Sequence, residues 1–465
     1  MDTTTQSNRS DASGLARVPS LIGNDLHHTS TAYGWGEGGA AALTVPETGT
    51  QRKQLSFPDQ HPYGQNPPTT IDNVRHLLKH RHVHVRYNVI TKKTEINIPG
   101  LKSSLENADS SAMTRIVSMA AAEGLSTGRV HELVQAIADE NLFNPAATWI
   151  KSKAWDRQDR LPDFYTTLTV RESFPSDLKD RVMYRWLLSV TAAALMPSEF
   201  KTRGVLTLQG PQGLGKTTWV QSLVSEPRLR SQLVRGEHLL DTSDKDSVLT
   251  ALSHWIVELG ELETSFRKDV GRLKAFITKE SDRIRPPYGR VDNFYPRRTV
   301  FCATVNADQF LIDPTGNTRW MTLPLVAMRK THDIDMQQVF AQLAEDFEKG
   351  VQWWLPDEDE RWLESFNKQH MATSAIEEKL MDVIDHDRLP SLQDRYMGTV
   401  ELLQFAGIHS PRNPETKEAA RVLRDKYGEP KKVGGSMKWR VCLRDKSHHD
   451  QTDDDGYDKY GDVKF

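Results

Sequence analysis

The spacing of apolar and polar positions divides the chain into segments of different character. Residues 1–70 are rich in Ser, Thr, Gly, Asn, Pro and Gln and carry few large apolar side chains. Burial cannot offset the entropy of ordering such a stretch, so it reads as mostly disordered. Alternation then begins: His82-Val83-His84-Val85-Arg86-Tyr87 and Thr94-Glu95-Ile96-Asn97-Ile98 predict two half-buried strands joined by a turn at Thr91-Lys92-Lys93. This is a small β-hairpin module over 71–105. Over 106–200 the period becomes helical, as in Val130, Leu133, Val134 and Ile137 and again in Val182, Trp186, Leu187 and Val190. A helical lead-in domain is expected there.

From 201 to 355 short β-rich runs alternate with helical stretches, the pattern of an α/β layer architecture. Past Pro356 the chain is helical and charged to about Leu389. The segment from Thr399 to Leu443 then closes with a strand-turn-strand pattern around Lys431-Lys432-Val433-Gly434-Gly435. Helices followed by a glycine-turned basic hairpin predict a winged-helix-like domain over 356–445. Residues 446–465 carry Asp450, Asp453, Asp454, Asp455, Asp458 and Asp462, a block of like charge expected to form an acidic disordered tail.

Composition narrows the function classes. With 60 basic and 63 acidic residues among 465, the formal net charge is −3, so any nucleic-acid contact must be local rather than a property of the whole surface. The two cysteines, Cys302 and Cys442, are too few for a disulfide framework or a cysteine-rich zinc site, which fits a reduced compartment. There is no apolar run of membrane-spanning length and no signal-peptide pattern, so a cytoplasmic protein without a membrane partner is expected. His80, His82 and His84 alternate as residues on one strand face would, yet no cysteine or paired carboxylates accompany them, which argues against a metal site.

The strongest chemical signal is Gly210-Pro211-Gln212-Gly213-Leu214-Gly215-Lys216-Thr217, preceded by the strand-like Gly204-Val205-Leu206-Thr207-Leu208. It matches the phosphate-loop pattern in full and in the required context. Glycines let successive N–H groups curl toward phosphates, Lys216 is positioned to reach the β- and γ-phosphates, and the Thr217 hydroxyl to ligate Mg²⁺; Thr218 completes the cradle. ATP and Mg²⁺ are the expected cofactors.

A hydrolase also needs an acid on a neighbouring strand, and Trp255-Ile256-Val257-Glu258-Leu259-Gly260-Glu261 supplies two. Glu261, just past the strand, is the first candidate for the base; Glu258, within it, is the second choice and a candidate metal ligand with Thr217. A third run, Thr299-Val300-Phe301-Cys302-Ala303-Thr304-Val305, ends at Asn306, whose amide can donate to a phosphate oxygen and accept from the attacking water. Arg319, after a turn and before Met321-Thr322-Leu323, suits a guanidinium finger or a local salt bridge.

With these elements in order, the stretch from about Asn144 to Leu325 resembles the virulence-associated protein E family, proteins of phages, prophages and pathogenicity islands that look like relatives of superfamily 3 replicative helicases. The likeness also rests on Trp155-Asp156-Arg157-Gln158-Asp159-Arg160-Leu161, Leu273-Lys274-Ala275-Phe276 and Arg285-Pro286-Pro287-Tyr288-Gly289-Arg290. It implies a P-loop NTPase core of AAA+ or superfamily 3 type, a homo-hexameric ring with ATP between subunits, and Arg319 acting on the neighbour's nucleotide. Two positions depart from the pattern: Thr318 stands where a second arginine is frequent, and Gly260 where many ATPases place an acid.

Between acidic strand and asparagine, Lys274, Lys279, Arg283, Arg285, Tyr288, Arg290, Phe294, Tyr295, Arg297 and Arg298 interleave basic and aromatic side chains. Phosphate neutralisation with base stacking is how single strands are gripped, and Lys274, Arg283, Arg285, Tyr288 and Arg290 are the expected DNA contacts. The wing lysines Lys431, Lys432 and Lys438, with Arg440, fit either duplex DNA or packing. The acidic tail ending in Phe465 fits a replication partner such as a primase, polymerase or single-strand-binding protein, or a solubilising role. The leading expectation is an ATP-dependent DNA helicase or translocase in replication of a phage or mobile element. A DNA-bound ATPase switch and a small-molecule kinase remain as alternatives.

Overall fold

The computed structural model describes residues 55–444 apart from 64–65, 103–106, 286–291, 312–316, 373, 386–387, 389 and 392–393, and the side chains of 263–269 are likewise outside the description. The acidic tail, Phe465, Tyr288 and Arg290 therefore lie outside the described residues.

The first module starts with α1 (Ile71–His80), capped by the Thr70 hydroxyl, which accepts from the Asn73 amide. Strands β1 (His84–Asn88) and β2 (Lys93–Asn97) follow as the expected antiparallel hairpin, then α2 (Ala108–Ala122), α3 (Val130–Asp139) and the two-residue β3 (Leu142–Phe143), which runs parallel to β1. Val74, Leu77, Val85, Ile116, Val134 and Ile137 share one buried core. The expected boundary at 105/106 therefore cuts through a single hydrophobic unit: an isolated hairpin has too little apolar face to bury by itself, and α1, α2 and α3 supply it. The histidines do not share a strand face, because His80 ends α1, His82 occupies a left-handed turn at φ 52° and only His84 lies in β1.

The central body is mixed α/β, as the alternating pattern predicted. It opens with α4 (Pro145–Ile150), α5 (Leu161–Tyr165), β4 (Leu168–Val170) and α6 (Ser176–Leu195). Then come β5 (Val205–Gln209), α7 (Lys216–Ser222), α8 (Pro227–Leu233), β6 (Val234–His238), α9 (Lys245–Leu252), β7 (Ile256–Leu259) and α10 (Leu262–Ile277). A two-stranded hairpin, β8 (Ser281–Ile284) and β9 (Asn293–Pro296), precedes β10 (Val300–Val305), β11 (Trp320–Met328), α11 (Met336–Glu348) and α12 (Asp357–Asn367).

Six strands form the sheet in the order β4-β11-β5-β10-β7-β6, parallel throughout except for β4. The inner strands β5 and β7 are buried on both faces, as a parallel sheet covered by helices requires. Helix α6, expected in the helical domain, belongs here: Trp186 donates its indole N–H to the Phe301 carbonyl at 2.9 Å, and Trp255 reaches back to the Val190 carbonyl at 2.9 Å. The loop carrying Trp155 to Leu161 is tied to α11 by buried glutamines. Gln337 donates to the carbonyls of Ile150 and Lys153, and Gln338 accepts from the Asp156 amide at 2.8 Å.

Helix α12 lies against β11 rather than with the C-terminal domain, so the expected break at 356 falls later, after Met371. The last module holds α13 (Ala375–Val383), β12 (Tyr396–Met397), α14 (Thr399–Phe405), α15 (Asn413–Tyr427), β13 (Lys431–Val433) and β14 (Ser436–Arg440) around Leu380, Leu402, Leu423 and Trp439. Its sheet order is β12-β14-β13. Among the described residues no helix is long and apolar enough to cross a membrane.

Candidate nucleotide site

The glycine loop joins the end of β5 to the start of α7 at the carboxyl edge of the parallel sheet, where ligands of such sheets bind. Three glycines make its path possible. A side chain at Gly210 would stand 2.8 Å from the Leu325 carbonyl, and Gly213 and Gly215 take positive φ of 82° and 95°. Helix α7 is anchored by Trp219, which is fully buried, stacks on Phe164 at 5.4 Å and donates to the Thr167 hydroxyl at 2.8 Å.

Strand order decides what meets this loop. Because β10 lies between β5 and β7, the residue following β10 arrives beside Lys216. The Lys216 ammonium donates to Asn306 Oδ1 at 2.8 Å and to the carbonyls of Gly210 and Pro211 at 2.6 and 3.0 Å. Burial lowers its pKa, and the nearby Glu258 charge works the other way.

Glu258, in the middle of the acidic strand, is fully buried. Its carboxylate accepts from the Thr217 hydroxyl at 2.7 Å, the Thr304 hydroxyl at 2.9 Å and the Glu237 amide at 3.3 Å. Burial pushes its pKa up, with the two hydroxyls and the amide partly offsetting that. A register shift in β6 between Arg235 and His238, with Glu237 at φ 52°, turns that amide inward. Gly236 leaves room, since a Cβ there would meet Glu258 at 3.3 Å. Gly260 has its own packing reason: a Cβ would press on the Glu237 backbone at 3.1 Å.

Of the two acids, then, Glu258 is the one in contact with Thr217. Glu261 lies past the strand end, exposed, in a left-handed conformation (φ 44°, ψ 52°) at the start of α10. Non-glycine residues adopt that conformation at a cost of about 1–3 kcal/mol, a kind of strain that clusters at functional sites. A third carboxylate escaped the sequence reading. Asp308, two residues beyond Asn306, pairs with Arg171 and accepts from Gln209 Nε2 at 2.8 Å, while His370 Nδ1 meets its backbone carbonyl at 2.7 Å. Arg171 holds the Asp308 carboxyl below its ordinary value. No local pattern marks this clasp, which joins residues from four distant stretches.

Arg319 sits at the other edge of the sheet. It closes a 3-10 turn (Asn317–Arg319) immediately before β11, whose Trp320 pairs with Val205 and whose Pro324 pairs with Gln209. That separates it from Gly210 by the length of β5, roughly 17 Å at the usual strand rise. Asn367 pins the turn, donating to the carbonyls of Asn317 and Trp320 at 2.9 and 2.8 Å.

The basic-aromatic segment divides in two. Arg283 and Phe294 are cross-strand partners on the β8–β9 hairpin, both exposed, and Arg285 is exposed just beyond β8. Lys274 is only 7% exposed within α10, which removes it from the expected DNA-facing set. Arg297 is buried too, donating to Asp282 at 2.5 Å and to the Phe276 carbonyl at 2.9 Å beneath the hairpin.

This whole constellation falls inside one family match, in which residues 150–372 correspond to the virulence-associated protein E-like domain. The virulence-associated protein E-like domain thus runs from the last residue of α4 to just past α12 and contains Lys216, Glu258, Asn306 and Arg319. Among solved structures the chain is similar to the apo structure of the NrS-1 C-terminal region (305–718) and to the A form apo structure of that region. Each is 13% identical with a TM-score of 0.40, covering 80% of this chain and 98% of the other. No curated protein matches the chain.

Proposed function

We propose that this protein is a Mg-ATP-dependent motor acting on DNA, with a P-loop NTPase core of superfamily 3 type, serving replication of a phage or mobile element. One observation carries the reading: Lys216–Asn306 and Thr217–Glu258 are two adjacent polar contacts, both at the mouth of a glycine loop. Phosphate oxygens can take over the Lys216 contacts to Gly210 and Pro211, leaving Asn306 to orient the ammonium and the attacking water. Thr217 and Glu258 fit a divalent cation chemically, being a hydroxyl beside a buried carboxylate whose hydrogen-bond donors are all neutral. Bound Mg²⁺ would neutralise charge on the phosphates. Glu261, strained at the same sheet edge, is the proposed base.

Arg319 is too far from its own loop to touch the same nucleotide, so as a finger it serves a neighbouring subunit, which fits a ring, by family likeness a homo-hexamer. The β8–β9 hairpin offers Arg283 and Arg285 beside the exposed Phe294 ring for a single strand. The order helix, strand, two helices and a basic hairpin in the last module supports a winged-helix-like reading.

The test is strand displacement on forked DNA with ATP. Unwinding with a hexameric particle mass supports the motor, whereas DNA-stimulated hydrolysis without displacement points to a switch. Arg319→Ala should reduce hydrolysis by about 10³-fold or more while nucleotide still binds. Mixing it with Lys216→Ala protein should restore activity, since each variant can supply what the other lacks at a shared interface.

A further inference from the structure

The glycine loop has a strand on each side. Asn306 comes from β10 on one side, and on the other β11 runs out past Met328 into Arg329 and Lys330. The two basic residues have different surroundings. Arg329 is tied to the α5 region, its guanidinium pairing with Asp163 at 3.0 Å and its amide bonding to the Thr167 carbonyl at 2.8 Å. Lys330 instead lays its stem over the loop. A Cβ built on Gly215 would lie 2.7, 2.9 and 3.3 Å from Lys330 Cδ, Cβ and Cγ. Gly215 is thus glycine for two reasons, its φ of 95° and the aliphatic chain resting on it. Among the described residues no ion pair occupies the Lys330 ammonium, and the residue is exposed.

We propose that Lys330 is a second phosphate-binding cation supplied by the same chain. Its ammonium lies two bonds beyond Cδ, so with the stem on Gly215 the charge falls next to the loop residues whose main chain faces phosphate oxygens. Lys216 and Lys330 then hold the polyphosphate between the β10 and β11 sides of the loop. A compact ammonium on a flexible stem suits this task, because it can follow the phosphates as the γ-group leaves. The pairing also makes nucleotide binding sensitive to the path of the chain after β11, which leads into α11.

This inference rests on the ATP-site reading, and the experiment separates the two. Full-length wild-type protein and the variants Lys330→Ala, Lys330→Met and Lys330→Arg are titrated with ADP, ATP and adenosine in the presence of Mg²⁺, at low and high salt. Lys330→Ala and Lys330→Met should each weaken ADP and ATP binding about tenfold, the worth of one charge-assisted contact, with a shallower salt dependence. Lys330→Arg should retain most of the affinity, and adenosine binding should be unchanged. Methionine preserves the stem on Gly215. A loss in the alanine variant that methionine repairs would therefore assign Lys330 a packing role only and overturn the proposal. Wild-type-like ADP and ATP binding by Lys330→Met would overturn it as well while leaving the nucleotide site intact. A folded wild-type protein that binds no nucleotide would remove both.

Discussion

The phosphate-loop corner and the base of the β8–β9 hairpin each bury charge, and they balance it in opposite ways. Under the hairpin, Arg297 and Asp282 compensate each other directly, and the Phe276 carbonyl takes another guanidinium N–H. In the corner, Glu258 is held by two hydroxyls and one amide, and the Lys216 ammonium is directed to Gly210, Pro211 and Asn306. A closed pair is a structural device. A buried carboxylate satisfied only by neutral donors carries a desolvation cost that a bound cation would offset.

The contrast can be broken most visibly at the two buried cations. Lys216→Ala should lower ATP hydrolysis by about 10²–10³-fold while thermal unfolding stays close to wild type, because the side chain contributes to a ligand site rather than to packing. Arg297→Ala should do the reverse. Stranding the Asp282 carboxylate in a buried position should cost about 3–5 kcal/mol, read by urea unfolding, with nucleotide affinity preserved under conditions where the variant remains folded. If Lys216→Ala unfolds the protein and Arg297→Ala does not, the assignment of the two regions is inverted.

On the hairpin surface the effects should be smaller and depend on salt. Arg283→Ala should weaken binding to single-stranded DNA several-fold at low salt and reduce the slope of log affinity against log salt by about 0.7, the loss of one phosphate contact on a single strand. Its melting temperature should not move, since Arg283 is exposed on β8. An unchanged salt slope would remove the hairpin from the DNA path.

The same contrast explains what could be read from the chain. Gly210 to Thr217 is a local pattern: the glycines, the lysine and the hydroxyl lie within one turn of backbone, so their spacing alone marks the candidate site. The strands, and the position of Asn306 just past β10, were legible because period and termination are local too. The order of those strands was not, and it is strand order that brings Glu258 to Thr217 and takes Arg319 to the far edge. Lys274 and Arg297 look like Arg283 in sequence, since a basic side chain shows no sign of whether a helix or a hairpin will cover it. The boundary at 105/106 failed for a related reason, as α2 and α3 have helical periodicity whether they form their own domain or roof a hairpin. Asp308 and Lys330 take their meaning only from neighbours distant in sequence.

The finest test of the comparison lies in pH. Burial raises the Glu258 pKa, so the folded chain holds that proton more tightly than the unfolded chain does. The stabilising contribution of the protonated form is complete below the unfolded value, in the ordinary carboxylate range, and is lost as pH rises through the higher folded value. At pH 8 without nucleotide or Mg²⁺, wild-type protein therefore carries an unfavourable buried charge that Glu258→Gln does not. The amide can keep the same neighbours, since the Thr217 and Thr304 hydroxyls can turn to accept while its oxygen takes the Glu237 N–H. Glu258→Gln should melt a few degrees higher than wild type at pH 8, at about 2–4 °C per kcal/mol for a domain of this size, and the gap should close on acidification. Adding Mg-ATP should reverse the order, raising wild type more than the variant. A variant less stable than wild type at pH 8 would mean that the carboxylate is already compensated within the protein, and the distinction between the corner and the hairpin base would fail.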